Sequence, residues 1–154
     1  MNKWRRFRRL AAPERKILLR ALVLLPLTGA ALRTIGFRRW KLFLTRFAGH
    51  KNSTAPVTPE SLQSARRTAQ MVAAAAKEGI VHGKCLEQSI VLWWLLLRKQ
   101  TPAELRIGAR QSVKGFEAHA WVEVQGNIVN DGENVRHDYV PFSNDISNLG
   151  VKSH

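Results

Sequence analysis

The sequence predicts an α+β domain behind a basic helical extension, and three features predict it. Charge is split along the 154 residues: residues 1–51 carry 14 Lys/Arg against Glu14 alone, whereas residues 52–154 carry 11 basic and 10 acidic residues. Ile90 to Leu97 is an unbroken run of eight apolar residues, Trp93 and Trp94 included. Such a run covers every side of a helix and marks one buried in mid-domain. After Pro102 the apolar residues alternate with polar ones, as in strands. Helices first and strands later give the α+β order.

A hydrophobic share of 45% with 23% charged residues excludes wholesale disorder and fibrous repeats. The single cysteine excludes an internal disulfide framework and a Cys-rich zinc module. Because nearly all of the net charge of +14 sits in the first third, the chain divides into an extension, residues 1–50, and a core domain, residues 51–154.

In the extension, Trp4, Phe7 and Leu10 recur every three positions among arginines. Pro13-Glu14 is a good helix start. The longest uncharged stretch, Ala21–Leu32, has 12 residues, too few for a bilayer span of roughly 20. A second helix is expected from Phe37 to Phe47, with Phe37, Trp40, Phe43/Leu44 and Phe47 on one face. A secretory signal would need an overlong basic region, and the helix pattern continues past its cleavage site. A nucleic-acid binder would use only the basic patch, and nucleic acid is not expected as a partner. The preferred reading packs the apolar faces on the core and leaves the arginines to solvent or anionic lipid. Leu18, Leu22, Leu25, Trp40 and Leu44 are the residues expected to make that contact.

Residues 49–59 read as a linker. Thr58 is a natural N-cap, Pro59 a natural first residue and Gly79 a natural stop, which bound a helix faced by Leu62, Ala65, Ala69, Val72 and Ala76. The buried helix should run from about Lys84 to Lys99, ended by Thr101-Pro102. Strands follow at Glu104–Arg110, Phe116–Val124 and Asn127–Asp131, with Gln125-Gly126 turning between the last two. No element is read from Gly132 to His154.

The candidate chemistry is Cys85, His119 and Asp131. Cys85 opens the buried helix, where the positive end of the helix dipole and the Lys84 charge both favour the nucleophilic thiolate. The competing reading is a small buried apolar residue. His119 sits mid-strand, where strand propensity has no use for it. If Val124-Gln125-Gly126 forms a three-residue hairpin loop, His119 falls opposite Asp131 on one face, and the carboxylate can orient the imidazole. A two-residue turn would pair Ala120 with Asp131 and send the carboxylate to the wrong face. His50, His82, His137 and His154 have no such arrangement, and Asp138 and Asp145 are poorer orienters.

Cys85-Leu-Glu-Gln-Ser-Ile-Val-Leu, Leu105-Arg-Ile-Gly-Ala-Arg and Phe116-Glu-Ala-His-Ala-Trp-Val-Glu-Val-Gln-Gly-Asn-Ile-Val-Asn-Asp131 together resemble the lasso-peptide biosynthesis B protein, in its stand-alone transglutaminase-like protease form. The resemblance covers roughly residues 58–142, including Tyr139-Val-Pro-Phe142, and the basic apolar N-terminus is similar as well. It implies a transglutaminase/papain-like core and a cysteine protease that removes the leader from a ribosomally made precursor peptide. Cys85 would be the nucleophile, His119 the general base and Asp131 the orienter. A separate leader-recognition protein and an ATP-dependent lasso cyclase are implied as partners. No cofactor and no metal are expected. Glu87-Gln88 and Gln125 depart mildly from the family pattern, which leaves substrate side-chain preference open. Two other functions remain open: a thiol acyltransferase or transglutaminase that uses the same triad with an amine acceptor, and a non-enzymatic basic adaptor that uses residues 1–51 on a membrane surface or nucleic acid. Localisation is expected to be cytoplasmic, with docking at the membrane surface through the basic helices as an addition.

Overall fold

A computed structural model describes residues 10–49, 56–79 and 84–142, and among these described residues there are five helices and four strands. Trp4, Phe7, His50, His82, Asp145, His154 and most of the expected linker fall outside these residues.

Helix α1 is Ala12–Thr34, with Pro13 in its first turn. The Glu14 carboxylate accepts from the Ala11 backbone N–H at 3.1 Å, which satisfies a donor that the helix start would leave unpaired. Helix α2 is Phe37–Ala48 and ends at Gly49 in the left-handed conformation. Helix α3 is Pro59–Glu78, capped by the Thr58 hydroxyl accepting from Ser61 N–H at 3.2 Å and stopped at Gly79, as its sequence predicts. Helix α4 is Cys85–Arg98.

One core joins all four of these helices. Ala21 and Leu25 of α1, Trp40 and Leu44 of α2, Ala69 and Val72 of α3, and Ile90, Leu92 and Leu96 of α4 are buried together with Val122 and Val124 of the sheet. Leu18 and Leu22 pack at the edge of this cluster, so the expected contact of the extension with the core is present. α4 also ties down α2 directly. Trp94 Nε1–H donates to Leu44 O at 3.1 Å, and Arg98 donates at 3.2 Å to Phe47 O, a last-turn carbonyl that the helix leaves unpaired.

By length and composition α1 could cross a membrane, with a mean hydropathy of 1.6 over its best window. A count of uncharged residues does not reveal this, because the apolar helix continues through Arg20. Thr28, Gly29 and Ala31, where a signal cleavage site would fall, are buried against the core.

Strands β1 (Ala103–Ser112), β2 (Gly115–Val124), β3 (Asn127–Ile128) and β4 (Val140–Pro141) form one antiparallel sheet in the order β3-β2-β1-β4. Ala120, Val122 and Val124 turn towards the helices, while Trp121 turns the other way into a small second cluster with Ile128, Val135 and Tyr139. The short helix α5 (Val135–Asp138) and β4 lie after Gly132, in the segment whose sequence predicts no element. β4 exists through its partner: Val140 and Pro141 pair with Ala109 and Gly108 of β1, and Phe142 N–H donates to Ile107 O. Its two residues carry no strand signal of their own.

Candidate active site

His119 and Asp131 are in direct contact, His119 Nε2 on Asp131 Oδ2. The route to that contact differs from the expected one. Glu123 pairs with Ile128 and Val124 with Asn127, so Gln125-Gly126 is a two-residue turn. Gln125 (φ 45°) and Gly126 (φ 77°) are both left-handed, as a type I′ turn requires. Gln125 accepts that backbone because the turn is held from outside. The Asn127 side-chain amide donates to the Val124 and Gln125 carbonyls, and Arg136 of α5 donates to Gly126 O.

With that register a continued ladder would place Asp131 opposite Ala120, on the helix-facing side. The ladder stops at Ile128 instead. Val129 N–H still donates to Val122 O at 3.1 Å, but the reciprocal bond is taken by the Asn130 side chain, whose Oδ1 accepts from Val122 N–H at 2.8 Å. Freed from strand alternation, Asp131 reaches His119.

The imidazole is held on other sides as well. Its ring lies 5.1 Å from that of Tyr139 and 6.5 Å from that of Trp121. The Arg110 guanidinium covers the Tyr139 ring at 4.7 Å, so Tyr139 neighbours both Arg110 and His119. Gly108, directly across from His119 on β1, makes this close fit feasible: a Cβ there would meet the Trp121 ring and the Val140 carbonyl at 3.0 Å.

Cys85 is the first residue of α4 and is half-buried. The Glu87 carboxylate accepts from the Lys84 backbone N–H at 2.7 Å and fixes the start of this helix. Glu87 is buried, and its Oε1 lies where a Cβ on Gly29 of α1 would approach to 3.1 Å. The extension therefore packs on the turn that presents Cys85. No hydrogen bond joins the thiol to His119 or Asp131 among the described residues. What brings helix and sheet together is one turn further on: Ser89 Oγ–H donates to Ala120 O at 2.9 Å and accepts from Asn130 Nδ2 at 3.0 Å. Ser89 lies on the face of Cys85, four residues on. Ala120 adjoins His119, and Asn130 adjoins Asp131. This buried joint locks the three elements that carry the three candidate residues.

Ser89 and Asn130 were missed in the sequence. The available signal was a hydroxyl immediately ahead of an eight-residue apolar run and an amide next to the chosen aspartate. Ser89→Ala and Asn130→Ala should each cost about 1–3 kcal/mol, since each leaves buried polar partners unpaired. The double variant should cost less than the sum, because both belong to one network. Turnover should fall by a lowered kcat with little change in KM. Parent-like kcat in stable variants would remove the joint from any role in positioning.

On the same strand as His119, the buried Glu123 accepts from Trp121 Nε1–H at 2.8 Å and Arg136 Nε–H at 3.0 Å, and pairs with Arg106 at 3.5 Å. Burial by itself would raise the Glu123 carboxyl. The hydrogen bonds from Trp121 and Arg136 and the charges of Arg136 and Arg106 outweigh it and hold the carboxyl below its ordinary value. A depressed folded-state pKa contributes stability that is present above the unfolded value, near 4.5, and is lost as pH falls through the folded value. Glu123→Gln should lower stability by about 1.5–3 kcal/mol at neutral pH. Urea titrations at descending pH should show the gap between parent and variant closing below the ordinary carboxylate range. A gap independent of pH would refute the charge-based account.

A groove of about 310 Å³ opens beside Asp131, floored by Ala69 and Ala73 of α3 and walled by Gln88, Leu92 and Asn130. Among the described residues no group of His, Cys, Asp and Glu gathers to hold a metal.

The family model for the transglutaminase-like superfamily matches residues 25–144, well over half of the chain. The chain belongs to the transglutaminase-like superfamily. The match begins inside α1, in keeping with the packing of that helix on the transglutaminase-like core. This superfamily includes cysteine peptidases and acyltransferases. No curated protein and no solved structure matches the chain significantly.

Proposed function

We propose that this transglutaminase-like protein is a cysteine peptidase that removes the leader from a ribosomally synthesised lasso-peptide precursor, with Cys85, His119 and Asp131 as its triad. The observation that carries the reading is the His119 Nε2–Asp131 contact, tied through the Ser89 joint to the helix that begins at Cys85. With Nε2–H donated to the carboxylate, Nδ1 is the imidazole nitrogen left to take a proton. His119 Nδ1 accepts the Cys85 proton, and the thiolate attacks the scissile carbonyl. The protonated imidazole then returns its proton to the leaving amine, forming a thioester. Water, deprotonated by His119, attacks the thioester and releases the leader carboxylate and the free thiol. The Cys85 backbone N–H, at the positive helix start, is an oxyanion donor.

The choice of a lasso precursor rests on the resemblance of Ala118-His-Ala-Trp-Val-Glu123 and the cysteine helix to the lasso B proteins. In this reading a separate protein recognises the leader, and an ATP-dependent cyclase closes the freed core peptide. The reaction takes place in the cytoplasm, where the thiol stays reduced. Mass spectrometry of a lasso precursor incubated with the protein and a recognition partner tests the reading. Leader and core as two products, with one water added, support it. Loss of ammonia with a new amine crosslink would instead identify an acyltransferase with the same triad.

A further inference from the structure

Helix α1 is apolar on both of its faces. Its inner face, Ala21, Leu25, Thr28, Gly29 and Ala31, is covered by the core. Its outer face carries Leu19, Val23 and Leu27, spaced four apart and 52%, 66% and 50% exposed. A helix on the surface of a water-soluble domain normally turns polar residues outward. Here only 28% of the most apolar window is buried, and large apolar side chains point away from the protein. Helix α2 repeats the pattern: Leu42, Phe43 and Phe47 are exposed, among Arg38, Arg39 and Arg46.

Charge identifies what covers these faces. Lys16 and Arg20 stand at one end of the α1 stripe and Arg33 at the other, and Glu14 is the only acid in residues 1–51, whose net charge is +13. A second copy of the chain would bring the same charge against itself. Nucleic acid would engage the arginines but leave the leucines, valine and phenylalanines in water. An anionic bilayer surface satisfies both, taking apolar side chains at the acyl boundary and arginines at the phosphates. Residues 1–9 add Trp4 and Phe7 among five further basic residues, a composition of the same kind.

We propose that the protein is a peripheral membrane protein that docks on anionic phospholipid through the outer faces of α1 and α2. The inner face stays on the core, so the helices lie on the bilayer rather than cross it. Two signals act together, since neither the apolar stripe nor the charge alone gives more than marginal binding. The proposal is independent of the reaction, and Cys85→Ala should bind like the parent.

Sedimentation of the full-length protein with vesicles tests it. Binding is expected to vesicles of phosphatidylcholine mixed with phosphatidylglycerol, weakly or not at all to phosphatidylcholine alone, and to weaken as salt rises. The variant Leu19→Gln, Val23→Gln, Leu27→Gln should keep the parent's unfolding midpoint, because the three side chains are exposed, and lose at least about tenfold in binding. Replacing Lys16 and Arg20 by glutamine should cost about fivefold per charge. Absence of binding to the mixed vesicles overturns the proposal. So does parent-like binding by the triple variant, or equally tight binding of poly-glutamate, either of which would indicate an acidic protein partner. Resistance to alkaline carbonate extraction from cell membranes would also overturn it, since α1 would then span the bilayer.

Discussion

Cys85→Ala should lower turnover of a precursor peptide by roughly four to six orders of magnitude while leaving the unfolding midpoint within a few degrees of the parent. The loss is large because no other side chain can supply the nucleophile: Cys85 is the only cysteine in the chain. The midpoint is spared because the thiol is half-buried and makes no hydrogen bond among the described residues. His119→Ala should be nearly as damaging, since the thiol would lose its base. Asp131→Asn should cost about 10⁴ in kcat, the effect of an orienter that no longer fixes the imidazole tautomer. A readout without substrate is also available. Iodoacetamide should alkylate Cys85, and His119→Ala should slow the reaction by removing its base. Measurable peptide cleavage by Cys85→Ala, at rates near the parent's, would end the cysteine-peptidase reading.

Removal of residues 1–48 should yield insoluble or molten protein rather than a smaller active domain. Leu25 and Leu44 each contribute about 1.5–3 kcal/mol by burial. Truncation of a buried tryptophan such as Trp40 costs about 3–5 kcal/mol more. Together these approach the whole stability of a typical domain, about 5–15 kcal/mol. The deletion also uncovers Glu87, which caps the Cys85 helix from beneath Gly29. The milder Trp40→Ala should remain folded at low temperature and lose about 3–5 kcal/mol in urea titrations. A soluble, cooperatively unfolding fragment of residues 49–154 that cleaves precursor at the parent's rate would show the two helices to be a tether only.

The helices and the long strands were legible because local chemistry specifies them. Thr58-Pro59 and Gly79 bound α3 in sequence and in structure, since a cap hydroxyl and a fixed proline φ act within one turn. The run from Ile90 to Leu97 is buried apart from partial exposure at Trp94 and Leu97, as an all-round apolar helix requires. The His119–Asp131 pair was legible as a pair of residues, but the register reasoned for it was not the one adopted. A Gln-Gly turn supports two loop lengths on local grounds alone. Arg136, ten residues away, and the Asn127 amide select the two-residue form by occupying its carbonyls.

The sequence by itself determined the element order, the buried cysteine-bearing helix, the alternating strands and the split of charge. These follow from periodicity, caps and composition, which act over one or two turns of chain. Tertiary structure alone decided the rest. It ended β3 at Ile128 so that Asp131 could leave the ladder, and it joined Ser89 to Ala120 and Asn130 across 31 and 41 residues. It paired β4 with β1, and it placed Gly29 of the basic extension against Glu87. Each of these depends on a partner distant in sequence. A hydrogen bond or close approach between remote segments leaves no periodic trace in either one, because its energy is realised only when packing has already brought the two together.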